Sequence, residues 1–182
     1  MSSHDLKAVP APLDPEQAKA RALDILAHGR LMTLATVRPD GWPQATVVNY
    51  LAEGLSLFFV VARNSQKLVN IARDPRVAIA LGTDAQGAAV GLSMAARVSE
   101  VNDPVRIQAL NRRIWGDPDD QRFTPHPSGV AVALLEARPV LVSLIDYESV
   151  GAAAQHFSVE ADWRLTTVTQ PHGADGVPPS PA

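Results

Sequence analysis

The chain contains no cysteine. Disulfides, thiolate nucleophiles and cysteine-based zinc centres are therefore excluded. It also lacks an excess of either charge: 16 Lys and Arg stand against 19 Asp and Glu, a net charge of −3. Nothing in that balance favours nucleic acid or an anionic membrane as a partner, although a local basic pocket stays open. No run approaches the ~20 apolar residues of a membrane helix. The N-terminal residues carry no basic patch followed by an apolar core, so no secretory signal is expected and the expected location is cytoplasmic. The five histidines, His4, His28, His126, His156 and His172, show no metal spacing such as H-E-x-x-H.

What remains is an ordinary globular composition, with 182 residues of which 46% are hydrophobic and 19% charged. That length suits one domain with its own core. Residues 1–13 read as a flexible arm, 14–168 as a single domain, and 169–182, rich in Pro and Gly, as a disordered tail.

Asp14-Pro15-Glu16-Gln17 is a helix start, with Asp as cap, Pro in the first helical position and Gln17 placed to reach back. Ala18, Ala22, Leu23, Ile25 and Leu26 supply its apolar face, and Gly29 its stop. Strands are expected over Leu31–Val37, Trp42–Leu51, Leu55–Ala62 and Arg76–Thr83. Arg38-Pro39-Asp40-Gly41 and Ala52-Glu53-Gly54 form turns between the first three. A short helix opens at Ser65. A strand lies within Ala88–Val101, a helix over Val105–Ile114 after Asn102-Asp103-Pro104, and two strands over Val130–Ala137 and Val140–Tyr147, with a loop at 115–129. Strands three or four residues apart cannot be parallel neighbours, because a parallel crossover needs about a dozen residues. The expected fold is therefore mainly β with flanking α: six to seven antiparallel strands with about three helices. Such a sheet closes into a barrel or leaves edges to be covered, and a small barrel with helices at its ends fits the geometry best.

The stretch Leu31–Leu81 is the richest in chemistry. Ser65 sits where a strand gives way to a helix, so its hydroxyl can cap free N–H groups, and the helix dipole makes that end attractive to an anion. Arg63 precedes the cap and Lys67 lies in the first turn. A hydroxyl, two cations and unpaired amides at one helix start would suit a phosphate monoester. The same triplet is also what an ordinary capped surface helix contains.

The ordered set Ala35-Thr36-Val37, Asp40-Gly41-Trp42-Pro43, Val47-Val48-Asn49-Tyr50, Leu57-Phe58-Phe59, Ser65-Gln66-Lys67 and Asp74-Pro75-Arg76-Val77 resembles the FMN-binding split barrels, the superfamily that includes pyridoxamine 5'-phosphate oxidase. The resemblance covers about residues 15–150. It implies a homodimer with FMN at the interface, Val47, Val48 and Asn49 beside the isoalloxazine ring, and Ala62, Arg63, Ser65, Gln66 and Lys67 around the phosphate. It implies a flavin-dependent oxidoreductase using a nicotinamide or another small-molecule reductant. The alternatives are a flavin- or haem-binding storage or sensor module, or a deazaflavin-dependent reductase. Position 61 is Val where the family often has Thr, position 66 is Gln where Arg is common, and Ala95-Ala96 stands where a glycine is common. The C-terminal part lacks the Arg-and-Trp signature of authentic pyridoxamine phosphate oxidases, so the chain is more similar to the general-stress-protein and flavin-reductase-like branch.

Other features have plainer readings. Gly91-Leu92-Ser93-Met94-Ala95 nearly spells a hydrolase nucleophile elbow but falls inside an expected strand. His156 is a surface histidine or, were the module a haem binder, the first ligand to test. Trp115 reads as a partly buried anchor or as cover for a flavin edge. Asp117, Asp119 and Asp120 lack the ordered pattern of a calcium loop.

Overall fold

A computed structural model describes residues 12–85, 88–115, 131–146 and 154–169. In chain order the elements are α1 (Pro15–His28), β1 (Leu31–Val37), β2 (Pro43–Asn49), β3 (Leu51–Glu53), β4 (Ser56–Ala62), α2 (Gln66–Arg73), β5 (Arg76–Ala85), β6 (Ala88–Glu100), α3 (Pro104–Trp115), β7 (Val132–Asp146), β8 (Gln155–Val159) and β9 (Leu165–Thr167). The strands form one antiparallel sheet ordered β2-β1-β5-β6-β7-β4-β3, with β8 and β9 continuing from the second half of β7.

The two end strands of that path, β2 and β3, are consecutive in sequence and separated only by Tyr50. The sheet must therefore curl until its ends meet. No ladder joins β2 to β3, so the barrel is split rather than closed. Tyr50 sits in this seam, 3% exposed, and its hydroxyl donates to the Leu26 carbonyl of α1 at 3.0 Å.

The alternation of apolar and polar residues along β1 becomes a buried inner face of Met32, Leu34 and Thr36. Leu57, Phe59, Ile79, Leu92, Met94, Leu135, Val142 and Leu144 complete the main core from the neighbouring strands. The first helix adds Ala18, Ala22, Ile25 and Leu26. Its start is a capping box as the sequence reads: Asp14 accepts from the Gln17 N–H at 2.9 Å, and the Gln17 side chain accepts from the Asp14 N–H at 3.1 Å. On the opposite face of the sheet, Leu110 and Ile114 of α3 cover Phe58 and Leu134 in a small second core. Glu53 of β3 is clamped by both Arg106 and Arg113 of this helix, and Arg106 also lies over the Phe58 ring at 5.0 Å.

Gly29 is the C-cap of α1, but with φ −84° and ψ 159° it needs no left-handed freedom. It is glycine because a Cβ there would meet the Tyr50 hydroxyl oxygen. Gly29→Ala is expected to cost about 1–2 kcal/mol through overpacking. Adding Tyr50→Phe should recover part of the loss, which urea denaturation of the two variants would measure. Gly41, by contrast, closes the β1–β2 turn at φ 87°, where glycine is favoured.

Three elements differ from the reading of the sequence. The run Trp42–Leu51 is divided, because Tyr50 turns inward at the seam. The two strands expected around Pro139 are a single strand, β7, in which Ala95 pairs with Leu141 but Ala96 pairs with Pro139. Val140 is thus an extra residue opposite that step. Such a bulge lets a proline sit in a continuous strand, since its missing N–H falls where the ladder is already interrupted. Strands β8 and β9 went unread; they bring the total to nine. They are short, with only Phe157 and Leu165 fully buried, so their alternation is weak.

Candidate functional site: the start of the second helix and the β2 edge

Ser65 caps α2 as read from the sequence, its Oγ accepting from the Leu68 N–H at 3.3 Å. Lys67 in the first turn is half-buried. Burial holds its ammonium below the usual lysine range, and it has no carboxylate partner among the described residues. A cation kept partly out of water without an anion is a costly arrangement unless an anion arrives from outside. Ala62 ends β4 beside this turn, half-buried. Arg63 is exposed and paired with Glu100 at 2.5 Å, so its charge is already partly spent.

Gln66 is engaged within its own helix. Its Nε2 donates to Asn70 Oδ1 at 2.9 Å. Asn70 is fully buried, and its Nδ2 donates to Thr36 Oγ1 of β1 and to Gln44 Oε1 of β2, both at 2.9 Å. Arg73, one turn on, donates to the Pro39 carbonyl in the β1–β2 turn. The helix is thereby fastened to both strands of the hairpin. Asn70, Thr36 and Gln44 were not singled out in the sequence. The available signal was a polar residue amid Leu68, Val69 and Ile71 on the same short helix.

The helix ends at Asp74, whose carboxylate takes three side-chain bonds from Arg76, two from Nε at 2.9 and 3.2 Å and one from a terminal nitrogen at 2.6 Å. Those bonds hold its pKa at about 2, against 3.8 ordinarily. A depressed carboxylate pKa contributes stability above the unfolded value, and that contribution disappears as pH falls through the folded one. Tyr50 works at the other limit: burial pushes its phenol from 10.0 up to about 12. Its contribution is present below pH 10 and disappears as pH rises from there to 12. Asp74→Asn should flatten the acid limb and Tyr50→Phe the alkaline limb of Tm against pH, without exchanging effects.

The strand β2 pairs only with β1 among the described residues, so its far backbone edge is open. Val47 points outward and is 66% exposed, whereas Val48 and Asn49 are half-buried. The Thr46 hydroxyl between Gln44 and Val48 is buried with no hydrogen-bond partner among the described residues. Val47 begins a lateral row that the registers trace across the sheet: Val47, Thr33, Ala80, Ser93, Ser143, His156. On the same outer face Leu31, Val37 and Val47 are large apolar residues left exposed, between small neighbours such as Ala35, Ala78 and Ala95. The row also disposes of the hydrolase-like motif. Ser93 lies in mid-strand, not on a strand-to-helix turn. At its far end the Ser143 hydroxyl and His156 Nδ1 are 2.7 Å apart. His28 instead contacts the Asp24 carbonyl of its own helix at 2.8 Å. The Trp115 side chain and Asp117, Asp119 and Asp120 lie outside the described residues. No group of metal-binding side chains occurs among the described residues, and none of their helices is long and apolar enough to cross a membrane.

The split antiparallel sheet with flanking helices is shared with a known family of proteins. The chain belongs to the pyridoxamine 5'-phosphate oxidase family, whose model matches residues 18–141. It is 25% identical over 111 residues to General stress protein 26 of Bacillus subtilis (strain 168), covering 61% of this chain and 76% of that protein. Among solved structures, it is similar to a pyridoxamine 5'-phosphate oxidase-related, FMN binding protein from Nostoc punctiforme. That match has a TM-score of 0.58 and 18% identity, over 87% of this chain and 98% of the other. It is similar also to a heme binding protein from Mycobacterium smegmatis, with a TM-score of 0.60 and 19% identity, over 81% of this chain and 60% of the other. This chain thus spans less than two thirds of that haem protein's length. At these identities the two structures bear on the fold, and they come from one flavin-binding and one haem-binding protein.

Proposed function

We propose that the protein is an FMN-dependent oxidoreductase that passes electrons from a nicotinamide or another small reductant to a small-molecule acceptor. The observation that carries this reading is Lys67, a half-buried cation without an anionic partner among the described residues, beside the cap of Ser65. Lys67, the free amides of the first turn of α2, and Ser65 would hold the phosphate. Ala62 would let it approach closely, Arg63 would add charge at the rim, and Gln66 would act through Asn70 by fixing the helix. Val47, Val48 and Asn49 would line the ring with the open backbone edge of β2. Flavin supplies the redox chemistry when bound. The chain's part is to place it, to keep water from one face and to donate backbone hydrogen bonds.

Each such site is half a site on one chain, since Val47 faces outward. A second copy packed on the outer face would cover Leu31, Val37 and Val47, and the small residues between them would permit close approach of the two sheets. The functional form is accordingly a homodimer with the cofactor at its interface.

A second reading rests on His156. With Nδ1 engaged by Ser143, Nε2 is the nitrogen left for a ligand, which suits a haem-binding storage role. The visible spectrum of the purified protein separates the readings. A flavin spectrum that bleaches with NADH or NADPH under anaerobic conditions is the expected result. A haem band lost in His156→Ala would overturn it in favour of haem storage. A bound flavin that neither nucleotide nor any other small reductant bleaches would leave a store, not an enzyme.

A further inference from the structure

Away from that site, Arg97 of β6 and Arg138 of β7 are directly opposite each other in the ladder. Like charges in register on neighbouring strands repel, and neither arginine has an ion-pair partner among the described residues. Arg138 is steadied by lying over the Trp163 ring at 4.7 Å. Trp163 is the only non-glycine residue with positive φ among those described, at 64°. It occupies the β8–β9 turn, where the Glu160 N–H donates to the Arg164 carbonyl at 2.9 Å and the Trp163 N–H donates to the Glu160 carbonyl at 3.0 Å. Glycine is the usual residue at such a left-handed turn position. A bulky side chain held there is strained, and strain of this kind gathers at functional sites. The β7 bulge at Val140 lies beside the same place.

These features converge on one cleft of about 260 Å³, lined by Arg97, Ser99, Arg138, Val140, Glu160 and Trp163 among others. Glu160 is the only acid among its described lining residues, and that carboxylate accepts a 3.4 Å bond from Ser158. Outside the cleft, Asp74 feels Arg97 but is engaged by Arg76. The wall therefore carries two guanidinium groups against one carboxylate.

We propose that this cleft is a second binding site, taking a small phosphate monoester whose phosphate is bridged by Arg97 and Arg138. Forked guanidinium donors match phosphate oxygens, and an arriving dianion would turn the cross-strand repulsion into shared attraction. Ser99 adds a hydroxyl, and Val140 and the indole offer apolar contact to the organic remainder. The volume limits that remainder to about one ring.

The test is calorimetric titration of the full-length protein with phenyl phosphate at low ionic strength, with phenol as the uncharged control. Phenyl phosphate is expected to bind saturably and phenol not. Arg97→Gln and Arg138→Gln should each weaken binding about tenfold or more, while saturating FMN, which would fill the start of α2, leaves it unchanged. Arg138, not Arg97, is the arginine stacked on Trp163, so Arg97→Gln decides the matter even if Arg138→Gln disturbs the turn. No saturable binding, equal binding of phenol, unchanged affinity in Arg97→Gln, or loss of binding on saturation with FMN would each overturn the proposal. The last would assign the phosphate to the start of α2.

Discussion

Asn70→Ala is expected to be the most damaging single change near the site, lowering stability by about 2–5 kcal/mol, because it strands buried polar partners. Asn70 is fully buried and ties Gln66, Thr36 and Gln44 together. Its removal leaves the Thr36 hydroxyl, itself 3% exposed, without that donor, and frees α2 from β1 and β2. Urea denaturation would measure the loss. The same variant should weaken FMN binding although Asn70 makes no contact with the proposed phosphate position. Asn70→Asp keeps the shape and the bonds as acceptor but removes the donors, so it should restore little. Stability within about 0.5 kcal/mol of the parent, the range of a surface substitution, would show that the network does not hold the helix.

Lys67→Ala is expected to weaken FMN binding by about 10- to 100-fold, the worth of a charge-assisted hydrogen bond at 1.5–3 kcal/mol. It should not reduce the stability of the cofactor-free protein. The sign follows from burial: the folded state disfavours the charged lysine, so its pKa is lowered. Below the unfolded value near 10.5 the charge therefore costs stability, and alanine removes that cost. A bound phosphate reverses the balance by supplying the missing anion. The variant should thus melt at or above the parent temperature without FMN and below it with saturating FMN. A lower melting point in both conditions would make Lys67 a structural residue.

Much of this was legible in the sequence for identifiable reasons. The capping box at Asp14 and Gln17, the Ser65 cap and the turn at Gly41 are local and need no tertiary knowledge. The short turns forced antiparallel pairing, and the order of motifs pointed to the split barrel. What stayed hidden was non-local. Pro139 reads as a strand break unless the bulge at Val140 is known. Gly29 reads only as a helix stop, whereas its reason is Tyr50, 21 residues further along the chain and packed against it. Gln66 reads as one of the residues around the phosphate, and its bond to Asn70 is visible only in the folded chain. The outer row from Val47 to His156 joins strands scattered over the whole chain and exists only once the registers are fixed.

The most direct measurement compares FMN with riboflavin, which has the same ring and no phosphate, by fluorescence titration of the parent protein and Lys67→Ala. FMN should bind the parent at least about tenfold more tightly than riboflavin, and Lys67→Ala should erase most of that difference while leaving riboflavin affinity as it was. Equal affinity of the parent for both flavins, or a phosphate preference that survives in Lys67→Ala, would contradict the assignment of the start of α2 as the phosphate site.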